Sequence, residues 1–237
     1  MSWLERTELL LGTERLKKLK SANVLVVGLG GVGAYAAEQL CRAGIGRMTI
    51  VDGDVVEESN RNRQLLALIS NTGKPKAEVL AERFRDINPD IDLTVVNEYI
   101  RDEKTIELLK SQSFDYVVDA IDTLSPKVYL VLRAVELGLK VVSSMGAGGK
   151  TDPSQVQLAD ISKSYNCKLA RMMRKRLSKL GVKKGVMVVF SPEEIVEEAV
   201  RLEEGQNKKS TVGTISYMPP VFGCFIASAV IRGITSA

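Results

Sequence analysis

The 237-residue sequence contains no histidine, and its three cysteines, Cys41, Cys167 and Cys224, are widely separated. Because CxxC pairs and Cys–His clusters are missing, the sequence has no recognisable structural zinc site and no disulfide framework. Any reaction that the chain catalyses must also proceed without imidazole, the side chain used most often for proton transfer. The chemistry is therefore expected to depend on carboxylates, cations and backbone amides.

Charge imbalance and long apolar runs are also missing. The formal net charge is only +4, from 33 Lys and Arg against 29 Asp and Glu, which favours a soluble globular protein of one domain. The N-terminus lacks a basic region followed by a long apolar core, so we expect no secretory signal and a cytoplasmic location. Residues 218–231 are apolar but fall short of the roughly 20 residues that cross a bilayer. A closing helix in the core or in a dimer is expected there rather than a membrane anchor.

Residues 23–41 (NVLVVGLGGVGAYAAEQLC) combine a β-branched apolar run, a glycine-rich turn and a stretch with helical spacing. This order is typical of a strand, a phosphate-binding loop and a helix. We expect Gly28 to form the tight turn and Gly33 to let the helix pack on the strand. Gly30 and Gly31 would let the backbone approach a phosphate at the positive end of the helix dipole. By itself this motif fits NAD, FAD and ATP equally well.

The next polar residues favour ATP among these ligands. Asp52 ends a second predicted strand at the spacing expected for a carboxylate that binds a ribose, although a simple strand-end turn is the alternative. Beyond this strand the sequence crowds together Asn60, Arg61, Arg63 and Gln64, and Lys76 follows near the start of the next helix, so that amides and cations are expected near the glycine loop. Several cations suit a triphosphate better than a dinucleotide pyrophosphate, so an NAD oxidoreductase is disfavoured.

Alternating strand and helix patterns predict an α/β fold with a doubly wound, mainly parallel sheet. The further predicted strands are 47–52, 92–97, 115–120 and 140–144, with helices at 75–88 and 103–110. Asp119 and Asp122 follow the fourth strand, at the sheet edge where such folds bind ligands. One of these acids is expected to hold Mg²⁺, with Asp122 preferred over Asp119. A helix N-cap is the alternative role for Asp122.

Several motifs together resemble a known superfamily. GLGGVG, VDGDVVEESNRNRQ, GKPKAEV and DAIDT, in this order, resemble the Rossmann-like adenylating fold of the ubiquitin-activating superfamily, which includes ThiF- and MoeB-type enzymes. RTELLLG, RFRDINP, SSMGAGGKTDPSQVQLADISKS and VVFSPE are similar to segments of the bacterial tRNA threonylcarbamoyladenosine dehydratases. The first set of motifs lies within residues 1–145, and the second extends the similarity to Glu193.

The resemblance implies roles for individual residues, with ATP and Mg²⁺ as cofactors. Carried over position by position, it implies phosphate contacts for Gly30 and Gly31, a ribose contact for Asp52, further phosphate contacts for Asn60, Arg63 and Lys76, and a metal and nucleotide contact for Asp122. Arg6 matches an arginine that, in this superfamily, reaches into the ATP site of the partner subunit. A homodimer is therefore implied, with Arg6, Arg63, Lys76 and Asp122 as catalytic residues.

The resemblance also implies a reaction, namely ATP-dependent adenylation of the threonylcarbamoyladenosine carboxylate beside a tRNA anticodon. Ring closure to a cyclic hydantoin would then release AMP. An activator of a sulfur-carrier protein is the second interpretation, made less attractive because the zinc cysteines typical of such enzymes are missing. A nucleotide-sensing module without turnover is the third. A sulfur-relay protein remains a candidate partner, whereas DNA is not expected.

Residues 147–237 are expected to form a smaller C-terminal extension of a single ATP-binding domain. We predict a strand at 155–160, a helix at 193–204, a mobile loop at 203–210 and an apolar closing segment at 212–235. Between Lys163 and Lys184 the sequence is basic and contains no acid. Such a helix is often merely solvated, but its charge would attract a phosphate backbone. We expect tRNA contacts from Lys168, Arg171, Arg174, Lys175 and Lys179.

Overall fold

A seven-stranded sheet forms the centre of the protein, whose computed structural model describes residues 2–202 and 210–236. Its strands are β1 (Asn23–Val27), β2 (Arg47–Val51), β3 (Asp92–Val96), β4 (Tyr116–Asp119), β5 (Val141–Ser144), β6 (Gln157–Asp160) and β7 (Met187–Phe190). They lie in the order β3-β2-β1-β4-β5-β7-β6, and all neighbours are parallel except the antiparallel pair β6–β7. The predicted doubly wound, mainly parallel sheet is confirmed.

Eight helices of the described residues surround this sheet. They are α1 (Glu5–Leu11), α2 (Thr13–Ser21), α3 (Gly33–Arg42), α4 (Lys76–Ile87), α5 (Glu103–Lys110), α6 (Leu124–Glu136), α7 (Lys168–Lys179) and α8 (Met218–Thr235). Side chains of α2, α3, α4 and α8 form one apolar cluster, and those of α5, α6 and α7 form a second. The two clusters lie on opposite faces of the sheet.

The position of strand β1 in the fold explains why its sequence is continuously apolar. Val24 and Val26 belong to the first cluster, whereas Leu25 and Val27 belong to the second. Since successive side chains of a strand point to opposite faces, a strand covered by helices on both sides needs apolar residues at every position.

The C-terminal extension contributes to the same sheet, because β7 pairs with β5 and β6 pairs with β7. The helix predicted at 193–204 is wrong over its described residues, 193–202. A short 3₁₀ turn at Glu197–Ala199 is followed there by β8 (Val200–Leu202), which pairs with β9 (Ser210–Val212). Tertiary strand pairing here overrides the helix propensity of the glutamates. The loop predicted at 203–210 lies outside the described residues apart from Ser210.

Helix α8 packs closely on α3. A Cβ atom at Gly223 would lie only 2.7 Å from the Val32 carbonyl oxygen and 2.8 Å from Tyr35 Cβ, so glycine permits this approach. Met218, Phe222 and Ile226, spaced four residues apart, form part of its buried side. In residues 2–202 and 210–236, α8 is the one helix with the length and apolar character of a membrane span, and 44% of it is buried inside the protein.

Candidate active site

The glycine loop connects β1 to α3 at the carboxyl edge of the sheet. Gly28 has φ +89°, and a Cβ atom there would lie 2.7 Å from the Ala120 carbonyl oxygen. A Cβ atom at Gly33 would overlap the Gly28 carbonyl oxygen. Both positions therefore require glycine, one for its backbone conformation and both for the close packing of backbone.

The middle of the loop is less crowded. A Cβ atom at Gly30 would meet only Gln64 Nε2, at 3.8 Å, whereas one at Gly31 would lie 3.0 Å from Pro219 of α8. The Gly30 backbone thus borders open space, and α8 covers the loop beside Gly31. Backbone N–H groups in this position, just before α3, could approach an anion closely.

A hydrogen bond to Asp52 connects the end of β2 to this loop. The Asp52 carboxylate accepts hydrogen bonds from the Leu29 amide at 2.6 Å and from the Asp54 amide at 2.8 Å. Burial raises the pKa of Asp52, against the opposing effect of the nearby Lys76 cation. An ionised carboxylate has about four acceptor positions, so acceptors remain for the hydroxyl groups of a ribose.

Lys76, the first residue of α4, is buried, with 5% of its surface exposed. Its Nζ lies 2.9 Å from Asp54 Oδ2, and the Tyr99 hydroxyl donates to the other Asp54 oxygen. That hydrogen bond raises the pKa of Tyr99 to about 12. Sequence reasoning missed Asp54 and Tyr99. The DxD spacing with Asp52 could have identified Asp54, but Tyr99 becomes a neighbour only through the fold.

Asn60 and Arg63 lie in the turn between β2 and α4. Asn60 is buried, and its Oδ1 accepts from the Glu57 amide at 3.2 Å. Arg63 Nη1 donates to the Ser59 carbonyl at 2.9 Å and to Asn62 Oδ1 at 2.7 Å. These bonds fix Asn60 locally and orient the Arg63 guanidinium, whose other N–H groups could bind a phosphate.

Gln64 is the strongest sign that this region receives a ligand. It is 9% exposed, and its Oε1 has no hydrogen-bond partner among the residues that the structure describes. Buried polar atoms are nearly always hydrogen-bonded in folded proteins. Because the Gln64 amide lies beside Gly30, a donor from a bound ligand would satisfy it.

The two acids after β4 have different surroundings. Asp119 is fully buried, with Lys127 Nζ at 2.8 Å and Ser143 Oγ at 2.6 Å from Oδ2. It forms an internal ion pair, which argues against its use as a metal ligand. Asp122 is exposed, and the N-cap of α6 is Thr123, so the N-cap interpretation of Asp122 is wrong.

The carboxylates of this region suit a metal ion that takes most of its ligands from water and nucleotide phosphates instead of from the protein. Within the described ranges, no group of three or more Asp, Glu or Cys side chains could enclose a metal ion. Mg²⁺ is commonly bound by one or two carboxylates together with water and nucleotide phosphates. A single exposed carboxylate at Asp122 fits that arrangement.

Arg6 lies on α1, where every residue is at least partly exposed. Leu4, just before this helix, packs where a Gly44 Cβ atom would lie, beyond the C-terminal end of α3. The glycine loop is at the other end of α3, roughly 15 Å away for a helix of this length. The fold thus separates the start of α1 from the glycine loop of its own chain.

The basic residues of α7 do not all share one environment. Lys168, Arg171, Lys175 and Lys179 are exposed, whereas Arg174 is partly buried and donates to Ser164 Oγ. Across the described part of the chain, no α7 cation forms a salt bridge. Arg174 is therefore less available to a ligand than the others.

Comparison with known proteins gives consistent matches along most of the chain. Residues 4–237 match the ThiF family. The tRNA threonylcarbamoyladenosine dehydratase of Bacillus subtilis is 41% identical over 225 residues, which cover 94% of this chain and 87% of that protein. The enzyme of the same name from Escherichia coli is 42% identical over 205 residues, covering 82% and 76%. The crystal structure of that E. coli protein, TcdA, in complex with ATP has a TM-score of 0.88 and 36% identity, and covers 98% of this chain and 93% of that chain.

Proposed function

The chain belongs to the ThiF family, and on this premise we propose that it is an ATP-dependent tRNA threonylcarbamoyladenosine dehydratase. The observation that carries the proposal is the candidate site itself, in which the glycine loop, Asp52, buried Lys76 and the unsatisfied Gln64 oxygen lie at one edge of the sheet. The activity for which the relatives are named supports the choice of substrate, since they match most of the chain.

ATP is a substrate of the proposed reaction and fits the groups present. Backbone N–H groups at Gly30 and Gly31 would bind its phosphates, and Asp52 would accept from its ribose hydroxyls. Lys76 and Arg63 would offset phosphate charge. TcdA from E. coli has been solved with ATP and also with AMP, the latter with a TM-score of 0.87 and 37% identity over 98% of this chain and 93% of that chain.

Mg²⁺ would be held by Asp122 together with the phosphates. When bound, the ion would stabilise negative charge on the reacting phosphate. Asn60 would hold the turn that carries Arg63, so that the guanidinium is oriented before ATP arrives. Preorganised charge of this kind costs no rearrangement during the reaction.

The reaction has two steps. The threonyl carboxylate attacks the α-phosphorus of ATP, the bond to the β-phosphate breaks, and pyrophosphate leaves. A urea nitrogen of the same modified adenosine then attacks the activated carbonyl carbon, loses its proton and displaces AMP. One carboxylate oxygen departs with AMP, so the net change is loss of water. Well-oriented intramolecular attack has effective molarities on the order of 10⁵ M or more, which explains why no cysteine or histidine is needed.

Other functions are not favoured. A sulfur-carrier activator would typically use zinc cysteines, and the sequence has no CxxC pair. A nucleotide-sensing module without turnover would not need the cations placed around the site, and the relatives described above carry enzyme names.

We also propose that the enzyme is a cytoplasmic homodimer in which Arg6 acts in the partner's site. The surface of α1 supports this, because Leu9 and Leu10 are 81% and 82% exposed beside Arg6. Burying such side chains against a second copy would be favourable by roughly 1.5 kcal/mol or more each. Helix α8 would then serve to close the core over α3 instead of entering a membrane.

The test is a reconstituted reaction with purified protein, ATP, Mg²⁺ and tRNA carrying threonylcarbamoyladenosine. Digestion under conditions that preserve cyclic nucleosides, followed by mass spectrometry, should reveal a nucleoside lighter by one water. AMP and pyrophosphate should form in equal amounts, and neither change should occur without ATP. An unaltered nucleoside would contradict the proposal.

A further inference from the structure

A groove lies between α6 and α7, outside the site described above. It has a volume of about 300 Å³ and is lined on α6 by Val128, Tyr129 and Leu132. On the α7 side it is lined by Arg176, Lys179 and Leu180. We call it the α6–α7 groove. Its floor is apolar, because Val128 and Leu132 belong to the second core cluster, and its rim is cationic.

The groove begins close to the candidate active site. Ser125 lines its first part and lies three residues after Asp122, in the first turn of α6. Arg176 Nη1 donates to Ser125 Oγ at 2.8 Å, which fixes the guanidinium across the gap between the helices. From Ser125 to Leu132 the groove follows α6 for roughly 10 Å away from the site.

Its charge extends beyond its own walls. An adjoining hollow of about 300 Å³ shares Arg176 and Lys179 and adds Met172 and Lys175. On the same side of α7, Lys168 continues the basic line, so that the cations span roughly 16 Å. A polyanion lying along α7 could contact these residues while placing one of its units in the groove.

The groove offers two kinds of surface to a ligand. Tyr129 has one ring face covered by Arg133, whose Cζ is 4.8 Å from the ring centre. Leu180 is 53% exposed at the opposite wall. Proteins that recognise single-stranded RNA stack unpaired bases on aromatic, apolar or guanidinium surfaces and bind the phosphates with cations. An acidic peptide without aromatic residues would use the rim but would bring no planar group to stack on Tyr129.

We propose that the α6–α7 groove binds one unpaired nucleotide of the tRNA anticodon loop, with its base between Tyr129 and Leu180 and its phosphate near Arg176 and Lys179. This inference rests on the proposed function for the identity of the RNA. It adds an RNA contact that begins at the first turn of α6, close to Asp122, and explains why the apolar groove has a basic rim.

The test combines a protein change with an RNA change. Tyr129→Ala removes the ring, Tyr129→Phe retains it, and Leu137→Ala, at the far end of α6, is the control for loss of an exposed apolar side chain. The probes are an anticodon stem-loop and a set of copies that each lack one loop base, measured by fluorescence anisotropy. We expect one abasic copy to bind roughly tenfold more weakly than the intact loop to the unaltered, Tyr129→Phe and Leu137→Ala proteins. Tyr129→Ala should bind both RNAs with equal, weakened affinity, while ATP affinity and thermal unfolding stay unchanged.

Two outcomes would overturn the inference. One is the same discrimination between intact and abasic RNA by Tyr129→Ala and by the unaltered protein. The other is displacement of the stem-loop by an acidic peptide whose own affinity falls with Tyr129→Ala. Dehydratase activity of the unaltered protein is measured separately on full-length tRNA. Failure of that assay would contradict the proposed function, whereas normal activity with unchanged binding by the groove variants would contradict the groove alone.

Discussion

Lys76 is a cation that the fold itself buries. Its ammonium group is held by Asp54, and Asp54 is held in turn by the Tyr99 hydroxyl. A buried cation with one carboxylate partner would be well placed to receive a second anion, because the phosphate would enter a site already poor in water. Asp54 thus orients the Lys76 ammonium group within the candidate site.

We expect a large loss of adenylation when either the Lys76 cation or the Asp122 carboxylate is removed from the site. Lys76→Ala and Asp122→Asn should each lower the rate of ATP–pyrophosphate exchange with substrate tRNA by roughly 10² or more. Lys74→Ala is the matched control, because Lys74 is exposed and lies two residues before Lys76. Exchange near the unaltered rate in both site variants would show that the assigned groups do not act in this step.

The residue roles that could be predicted from sequence are those fixed by local backbone. The requirements for glycine at Gly28 and Gly33 follow from a strand, a turn and a helix that are consecutive in the chain. Tyr99 and the unsatisfied oxygen of Gln64 could not be predicted, because both depend on packing between segments that are distant in sequence. For the same reason the sequence cannot exclude Asp119 as a metal ligand, since its buried pairing with Lys127 also depends on the fold.

At the scale of helices, Glu38 joins α3 to α4. Its carboxylate accepts from Arg83 at 2.6 and 3.1 Å and from Arg42 at 2.8 Å. Burial raises the pKa of Glu38, but the hydrogen bonds from both arginines outweigh it and lower the pKa below the ordinary 4.5. A carboxyl group whose pKa is lower in the folded state stabilises the fold when ionised.

Glu38→Gln should therefore lower the free energy of unfolding at pH 7 by about 1–3 kcal/mol. The difference from the unaltered protein should shrink as the pH falls below 4.5 and through the folded-state pKa, because both proteins then carry an uncharged side chain. Urea denaturation at several pH values measures this. Glu82→Gln, an exposed position on α4, should change stability by less than about 0.5 kcal/mol. A Glu38→Gln effect that is constant with pH would refute the electrostatic explanation.

The exposed cations of α7 lead to a separate prediction about tRNA binding. Reversing exposed Lys168, Arg171 and Lys175 to glutamate should weaken tRNA binding and reduce its salt dependence, by roughly 0.7–0.9 in the logarithmic slope for each phosphate that is no longer neutralised. The matched control reverses Lys17, Lys18 and Lys20 on α2, which packs on the other face of the sheet. Anisotropy at several salt concentrations, with ATP titration beside it, separates docking from a general change of charge. Equal weakening of tRNA binding by the two triple reversals would show that α7 is only a solvated surface.

Element types were predictable where a local sequence signal agreed with the fold, as in the continuous apolar run of β1 and the helix α4 between Pro75 and Pro89. Residues 193–204 show the limit. Their glutamates favour a helix locally, yet Val200 pairs with Val212 across a two-stranded sheet. The sequence of one segment carries no information about that pairing, so the tertiary contact decided the structure.

The whole molecule is proposed to work as a pair of chains, with Arg6 completing the partner's site. If so, mixing Arg6→Ala subunits with Lys76→Ala subunits should restore activity, because each hybrid dimer contains one intact site. At equal amounts and free exchange, about a quarter of the unaltered activity is expected. Native mass spectrometry confirms that hybrids form. Hybrids without activity would place Arg6 outside the partner's site.

The central claim is that the carboxylate of the modified adenosine is activated by transfer of the adenylyl group from ATP. Transfer of a heavy-oxygen label tests it most directly, using tRNA whose threonylcarbamoyl carboxylate carries the label. Attack of the carboxylate on the α-phosphorus, followed by ring closure, predicts that one labelled oxygen appears in AMP and none in pyrophosphate. Label in orthophosphate together with ADP, or AMP free of label after complete conversion, would contradict the mechanism.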